Sequence, residues 1–155
     1  MKEDIMNLKS TAELTKTGAS FETIVIPKGV HTVEDVERAC NCTKPEVIKT
    51  LLFVGQKPVV VLVTGDKRVD LEKLKEVRGD DSLRMANKEE VSNITGFAVG
   101  TVSPFGLREV DVIADQDVQN LSSLIMGSGK DDILLKMKGS EFVKSFSGSF
   151  VPVTL

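Results

Sequence analysis

A lysine interrupts an otherwise apolar run. Residues 46–55 read EVIKTLLFVG, and residues 58–63, PVVVLV, form a second run of the same kind. Lysine is almost never fully buried unless it is paired. Lys49 therefore either points outward from a strand end or serves a site that wants a positive charge. As a structural residue it would cap carbonyls at the C-terminus of a helix over residues 44–48. A second group is Gly100-x-x-x-Pro104, which encloses Thr101, Val102 and Ser103. Glycine at a strand end lets a ligand approach the backbone closely, and proline stiffens the loop. Exposed N–H groups in such a loop can hold an oxyanion or a carboxyl ester; the plainer alternative is an ordinary exit from strand to turn. A third group, Gly127-Ser128-Gly129, is another place where backbone can come close to a ligand.

Other chemistries are poorly supported. Neither G-x-G-x-x-G nor G-x-x-x-x-G-K-[ST] occurs. His31 is the only histidine and no serine sits in G-x-S-x-G, so a Ser-His-Asp triad is not expected, and His31 reads as a surface or capping residue. Cys40 and Cys42 are the only cysteines. Two cysteines in C-x-C cannot easily bridge each other, and no clustered histidines complete a metal site. No metal or other cofactor is expected; Cys40 reads as a small core residue on a helix and Cys42 as a loop residue.

The chain has 155 residues, 41% hydrophobic and 28% charged, which suits one domain over residues 1–155 with a proper core. There is no repeat, low-complexity tract or linker. Trp and Tyr are absent, which argues against an aromatic-stacking nucleic-acid platform, and the seven Phe mostly sit in apolar context. The net charge of −3 argues against a grip on long stretches of nucleic acid, so any such contact is local and made by a few Lys and Arg. No apolar run approaches the ~20 residues of a membrane span, and the N-terminal MKEDIMNLKS has no hydrophobic signal core. A cytoplasmic location is expected.

The elements that must position these groups are short. The pattern predicts helices over residues 5–17, from 33 after the Thr32/Asp35 capping box, over 44–48 after Thr43/Glu46, and after Asp70 with Leu71, Leu74 and Val77 on one face. A further helix runs from Asn87/Glu90 to Gly96, and a last one covers 141–146 with Ser140 as its cap. Strands are predicted over 20–26, 49–54, 58–64, 109–114, 121–126 and 133–137, with a turn at Gly55-Gln56-Lys57 joining the second to the third, and residues 97–106 read as a strand that breaks into a Gly/Pro loop. Strands and helices lack a strict βαβ rhythm and several strand pairs have short links. The expected class is α+β, one mixed and largely antiparallel sheet flanked by helices.

Taken in order, the segments GVHTVEDVE, EVIKTLLF, VVVLVTGD, VDLEKLK, MANKEEVSNITG, GTVSPFGL, DVIADQDV and MGSGKDD resemble the YbaK/prolyl-tRNA synthetase editing-domain family, from about Gly29 to about Met137. Lys49 matches the family's functional lysine, and Gly100 to Pro104 its G-x-x-x-P loop. The resemblance implies a free-standing aminoacyl-tRNA deacylase. It would hydrolyse the ester of mischarged tRNA at the 3′ acceptor end, chiefly tRNA for proline carrying Cys, Ala or another small amino acid. Prolyl-tRNA synthetase is a further implied partner. Lys49, Gly100 and Pro104 would carry the chemistry; Thr50, Thr101, Val102, Ser103, Asp115, Gly127, Ser128 and Gly129 would line the substrate site. No side chain is an obvious general base, and the resemblance implies a water activated with help from the substrate. Synthetase-inserted domains that clear alanine resemble G-A-N-x-D-D-x-H here, whereas this chain has Leu134 at the histidine position, which argues against strict alanine specificity. Two rivals stand beside this reading: a non-catalytic adaptor that binds tRNA or a synthetase, and a small-molecule aminoacyl-ester hydrolase or ligand-binding module with no tRNA.

Overall fold

The computed structural model describes residues 5–155. Its helices are α1 (Lys9–Thr17), α2 (Val33–Cys40), α3 (Leu71–Arg78), α4 (Lys88–Thr95) and α5 (Gly139–Ser145). Its strands are β1 (Glu22–Val25), β2 (Ile48–Val54), β3 (Val59–Thr64), β4 (Arg84–Met85), β5 (Asp111–Asp115), β6 (Ser123–Gly127), β7 (Ile133–Lys138) and β8 (Ser149–Val151).

Local chemistry sets most boundaries. The Thr32 hydroxyl accepts from the Asp35 N–H while the Asp35 carboxylate accepts from the Thr32 N–H, which fixes the start of α2. Asn87 and Glu90 do the same for α4, and Asp70 caps α3 through the N–H groups of Glu72 and Lys73. Arg84 grips Glu90 with two parallel hydrogen bonds of 2.9 Å. That bond and the Asn87 N–H hold the Glu90 carboxyl at about 2 and tie β4 to α4.

The class is α+β as expected, but the strands form two sheets. One is antiparallel, in the order β1-β7-β6; the other is mixed, in the order β4-β2-β3-β5-β8, with β3–β5 and β5–β8 parallel. All six residues of β3 are buried, because it lies at the centre of its sheet with a hydrophobic cluster on each face. Its run of valines therefore shows no alternation.

Several expectations are corrected. The expected helix over 5–17 is interrupted: residues 5–6 are helical, Leu8 is extended, and α1 begins at Lys9. The helix over 44–48 shrinks to one tight turn, Lys44–Glu46, and Ile48 already belongs to β2. No strand forms over 97–103: Gly100 has φ +83°, and both the N–H and the hydroxyl of Thr101 turn back to the Ala98 carbonyl. Ser140 does not cap α5. That helix starts two residues earlier, where the Gly139 N–H meets the Ser122 carbonyl at 2.9 Å, with Lys138 in the cap position. The short β4 and β8 and the turn Gln116–Asn120 were not foreseen. None of the seven Phe is exposed. Phe105, Phe142, Phe146 and Phe150 stack in succession, ring centroids 5.2–5.8 Å apart, and anchor the end of the 100–106 loop in the core.

Candidate active site

The two sheets meet at one parallel bridge, between Val47 and Ile125. No ladder joins β2 to β6 beyond it. β2 is paired with β3 along one side, but on the other side it meets β4 only at Phe53 and Val54. β6 pairs only with β7. The two free strand edges thus bound a wedge, and a cavity of about 410 Å³ fills it. Residues 47–52 form one wall and residues 125–127 the other, with Val36 and Leu134 at the floor and Val99, Gly100 and Val102 across the top.

Of the residues singled out by sequence, Lys49, Thr50, Gly100, Val102 and Gly127 line this cavity. Lys49 is half-buried and its Nζ donates to the Lys67 carbonyl, one bond of the three it can make. It does not cap the 44–46 turn. Burial pushes its pKa below the ordinary lysine value and the nearby Arg68 cation adds to this, while Asp66 and Glu34 oppose it. The Thr50 hydroxyl oxygen is buried and has no hydrogen-bond partner among the described residues. Such an orphan weakens the fold. A Thr50→Val variant is therefore expected to gain about 1 kcal/mol of stability, read as a higher denaturant midpoint at unchanged slope; a loss of stability would show that the hydroxyl is satisfied in solution.

The loop over 100–106 presents peptide groups rather than side chains. Among the described residues, the N–H groups of Gly100 and Val102 donate to nothing. A Cβ on Gly100 would meet nothing within 4 Å, so glycine stands there for its positive φ and not for lack of room. The loop is held from behind by residues 127–129. The Gly129 N–H donates to the Thr101 carbonyl at 2.8 Å. A Cβ on Gly127 would lie 2.6 Å from the Val102 carbonyl oxygen.

The other expected site residues point elsewhere. Ser103 is buried and its hydroxyl accepts from the Phe105 N–H. Pro104 is buried and lines a separate cavity on the far side of the loop. Thr101 and Gly129 bond each other through the backbone. The Ser128 hydroxyl is fully buried and donates to the Ile133 carbonyl at 2.6 Å. Asp115 accepts from the Val153 and Asp117 N–H groups and from the Thr154 hydroxyl, which pins the C-terminal segment. These polar groups bond to backbone inside the protein and leave the cavity to apolar side chains and peptide edges.

Sequence reasoning missed the rest of the lining: His31, Thr32 and Val33 at the start of α2, and Met85, Ala86 and Val91 around the start of α4. His31 is exposed at the mouth, and its N–H donates to Asp35. Its position after a Gly-Val pair and before a helix cap gave no sign of the cavity. Both cysteines are free, and burial pushes both thiols up. Among the described residues no three His, Cys, Asp or Glu side chains cluster as metal ligands, and no helix is long and apolar enough to cross a membrane.

The chain belongs to the aminoacyl-tRNA editing domain family, whose model matches residues 27–145. Among curated proteins it is 37% identical over 124 residues to the proline–tRNA ligase of Nitratidesulfovibrio vulgaris (strain DP4), covering 79% of this chain and 22% of the ligase. It is 35% identical over 108 residues to the proline–tRNA ligase of Endomicrobium trichonymphae, covering 69% and 19%. The chain thus spans about a fifth of the length of these relatives. Among solved structures it is similar to a candidate trans-editing enzyme for prolyl tRNA synthetase, with TM-score 0.86 and 25% identity over 95% of both chains. It shares its fold with the hypothetical protein APE2540, with TM-score 0.89 and 24% identity over 95% of this chain and 99% of that one.

Proposed function

We propose that this chain is a single-domain trans-editing deacylase that hydrolyses the ester of mischarged tRNA, with tRNA for proline carrying Cys, Ala or another small amino acid as its substrate. The observation that carries this reading is that Gly100 and Val102, whose N–H groups have no partner among the described residues, line the same cavity as Lys49. Peptide N–H groups held rigid beside a ligand stabilise a developing oxyanion without reorganising. The family membership and the likeness to the candidate trans-editing enzyme support it.

In this mechanism the aminoacyl group enters the wedge with its side chain toward Val36, Ile125 and Leu134. The ester carbonyl lies against the 100–102 backbone. The two donors of Lys49 Nζ left by the Lys67 carbonyl face a phosphate of the acceptor end. A water adds to the carbonyl carbon, with its proton taken by a group of the substrate. The tetrahedral intermediate collapses and expels the ribose oxygen, which leaves protonated. The products are the free amino acid and an uncharged 3′ end. An apolar Leu134 at the floor accepts small side chains by size and contact. Such pockets discriminate weakly between neighbours in size, which is why editing by a second site is needed at all.

The test is deacylation of tRNA for proline charged in turn with Ala, Cys, Ser and Pro. Turnover of a mischarged species with Pro-tRNA spared is the expected result. Binding of tRNA without turnover of any species would favour the adaptor reading instead. Equal turnover of free aminoacyl esters would favour the small-molecule reading.

A further inference from the structure

Helix α1 lies outside residues 27–145, yet it touches both loops that shape the top of the cavity. Ser10 is fully buried, and its hydroxyl donates to the Ser128 carbonyl at 2.6 Å, a contact across 118 positions of sequence. Three residues along the same helix, the Glu13 carboxylate accepts from the Gly106 N–H at 2.8 Å. Gly106 has φ +78°, and a Cβ there would lie 2.5–2.7 Å from the backbone of Lys9 and Ser10. The first turn of α1 thus rests directly on the far end of the 100–106 loop. Ser10 and Glu13, spaced three apart, lie close together along one side of the helix. Leu14, fully buried in the main core cluster, fixes the helix in place.

We propose that α1 is a positioning element for the reaction. Ser10 holds the 127–129 loop and Glu13 holds the 100–106 loop, so that the Gly100 and Val102 N–H groups keep the geometry that receives the oxyanion. This rests on the deacylase reading above. The two loops also bond each other, from Gly129 N–H to the Thr101 carbonyl. A three-cornered brace results: helix to each loop, and loop to loop. Neither Ser10 nor Glu13 lines the 410 Å³ cavity, so their effect is on the rate of the chemical step and not on substrate binding.

The experiment compares Ser10→Ala, Glu13→Met and Glu13→Gln with wild type in two ways: kcat and KM for the mischarged tRNA that wild type clears, and amide hydrogen exchange over residues 99–106 and 127–129. Glu13 is exposed, so its variants keep the fold, and Gln retains an oxygen that can accept from Gly106. The expected result is about a tenfold fall in kcat for Ser10→Ala and Glu13→Met, KM within twofold, faster exchange in both loops, and near-wild-type behaviour of Glu13→Gln. Unchanged kcat with unchanged exchange would overturn the proposal, as would a change in KM alone. If wild type clears no mischarged species, the deacylase reading has failed. The brace is then judged by exchange alone: faster exchange upholds it as a loop-holding device and unchanged exchange overturns it.

Discussion

A Lys49→Met variant is expected to lose about a hundredfold in kcat/KM for deacylation, while its melting temperature stays at or above that of wild type. The two halves of this expectation come from one observation. Lys49 keeps its charge in a half-buried place beside Arg68, and its pKa is pushed down by burial first and by that cation second. A lysine whose folded pKa lies below its unfolded value weakens the fold by a constant amount wherever both states are protonated. The cost fades as pH rises from the folded pKa toward the ordinary value of 10.5. Where both states are protonated the penalty is in full force, and methionine removes it while keeping most of the aliphatic stem. The lost carbonyl partner at Lys67 lies in a part-buried loop that water can reach. A residue kept at a cost to the fold is accounted for by what it does to a ligand. A variant with kcat/KM within threefold of wild type would remove Lys49 from the mechanism. A fall in melting temperature of many degrees would make it a structural residue instead.

A Gly127→Ala variant is expected to be damaged in both respects, with a loss of about 1–3 kcal/mol in stability from overpacking and a larger fall in kcat than in controls of equal stability. The added Cβ would lie 2.6 Å from the Val102 carbonyl oxygen and 2.9 Å from that of Thr101. Both are backbone atoms of the loop that presents the free N–H groups, so relief comes only by pushing that loop away. Gly18→Ala provides the control: its φ of +74° strains any other residue, but a Cβ there meets nothing within 4 Å and lies at the end of α1, remote from the cavity lining. Equal kcat in the two variants would show that the 127–129 loop does not set the geometry of the 100–102 backbone.

The parts of this fold that were legible in the sequence are those decided within a few residues. Thr32 with Asp35, Asn87 with Glu90, and Asp70 ahead of Leu71 specify helix starts because donor and acceptor lie within one turn. The apolar runs of β2 and β3 were legible for a similar reason, with the Gly55-Gln56-Lys57 link between them. The segment 97–103 was misread because its apolar residues have a strand's composition while its path is set by contact with Gly127 and Gly129, far along the chain. β8 was missed because three residues pairing in parallel with β5 carry no local signal. In the site, Lys49 and Gly100 stood out as a charge and a glycine in the wrong company. Ser128, picked out by its flanking glycines, and Asp115, carried over from the family resemblance, lie outside the cavity lining, and their side chains bond distant backbone in a way no local pattern announces. The walls from α2 and α4 could not be seen at all, since only the closing of the wedge brings them near Lys49.

The wedge between β2 and β6 separates two tasks among two kinds of atom. On the proposed mechanism, the groups that receive the ester are peptide N–H groups, which every residue except proline carries. The groups that decide which amino acid fits are the side chains of Val36, Ile125 and Leu134, contributed by three other elements. Substitution at those three positions reshapes the floor and leaves the 100–102 backbone untouched. If that mechanism holds, a lineage carrying this architecture can change the amino acid it clears one floor residue at a time without rebuilding the 100–102 backbone.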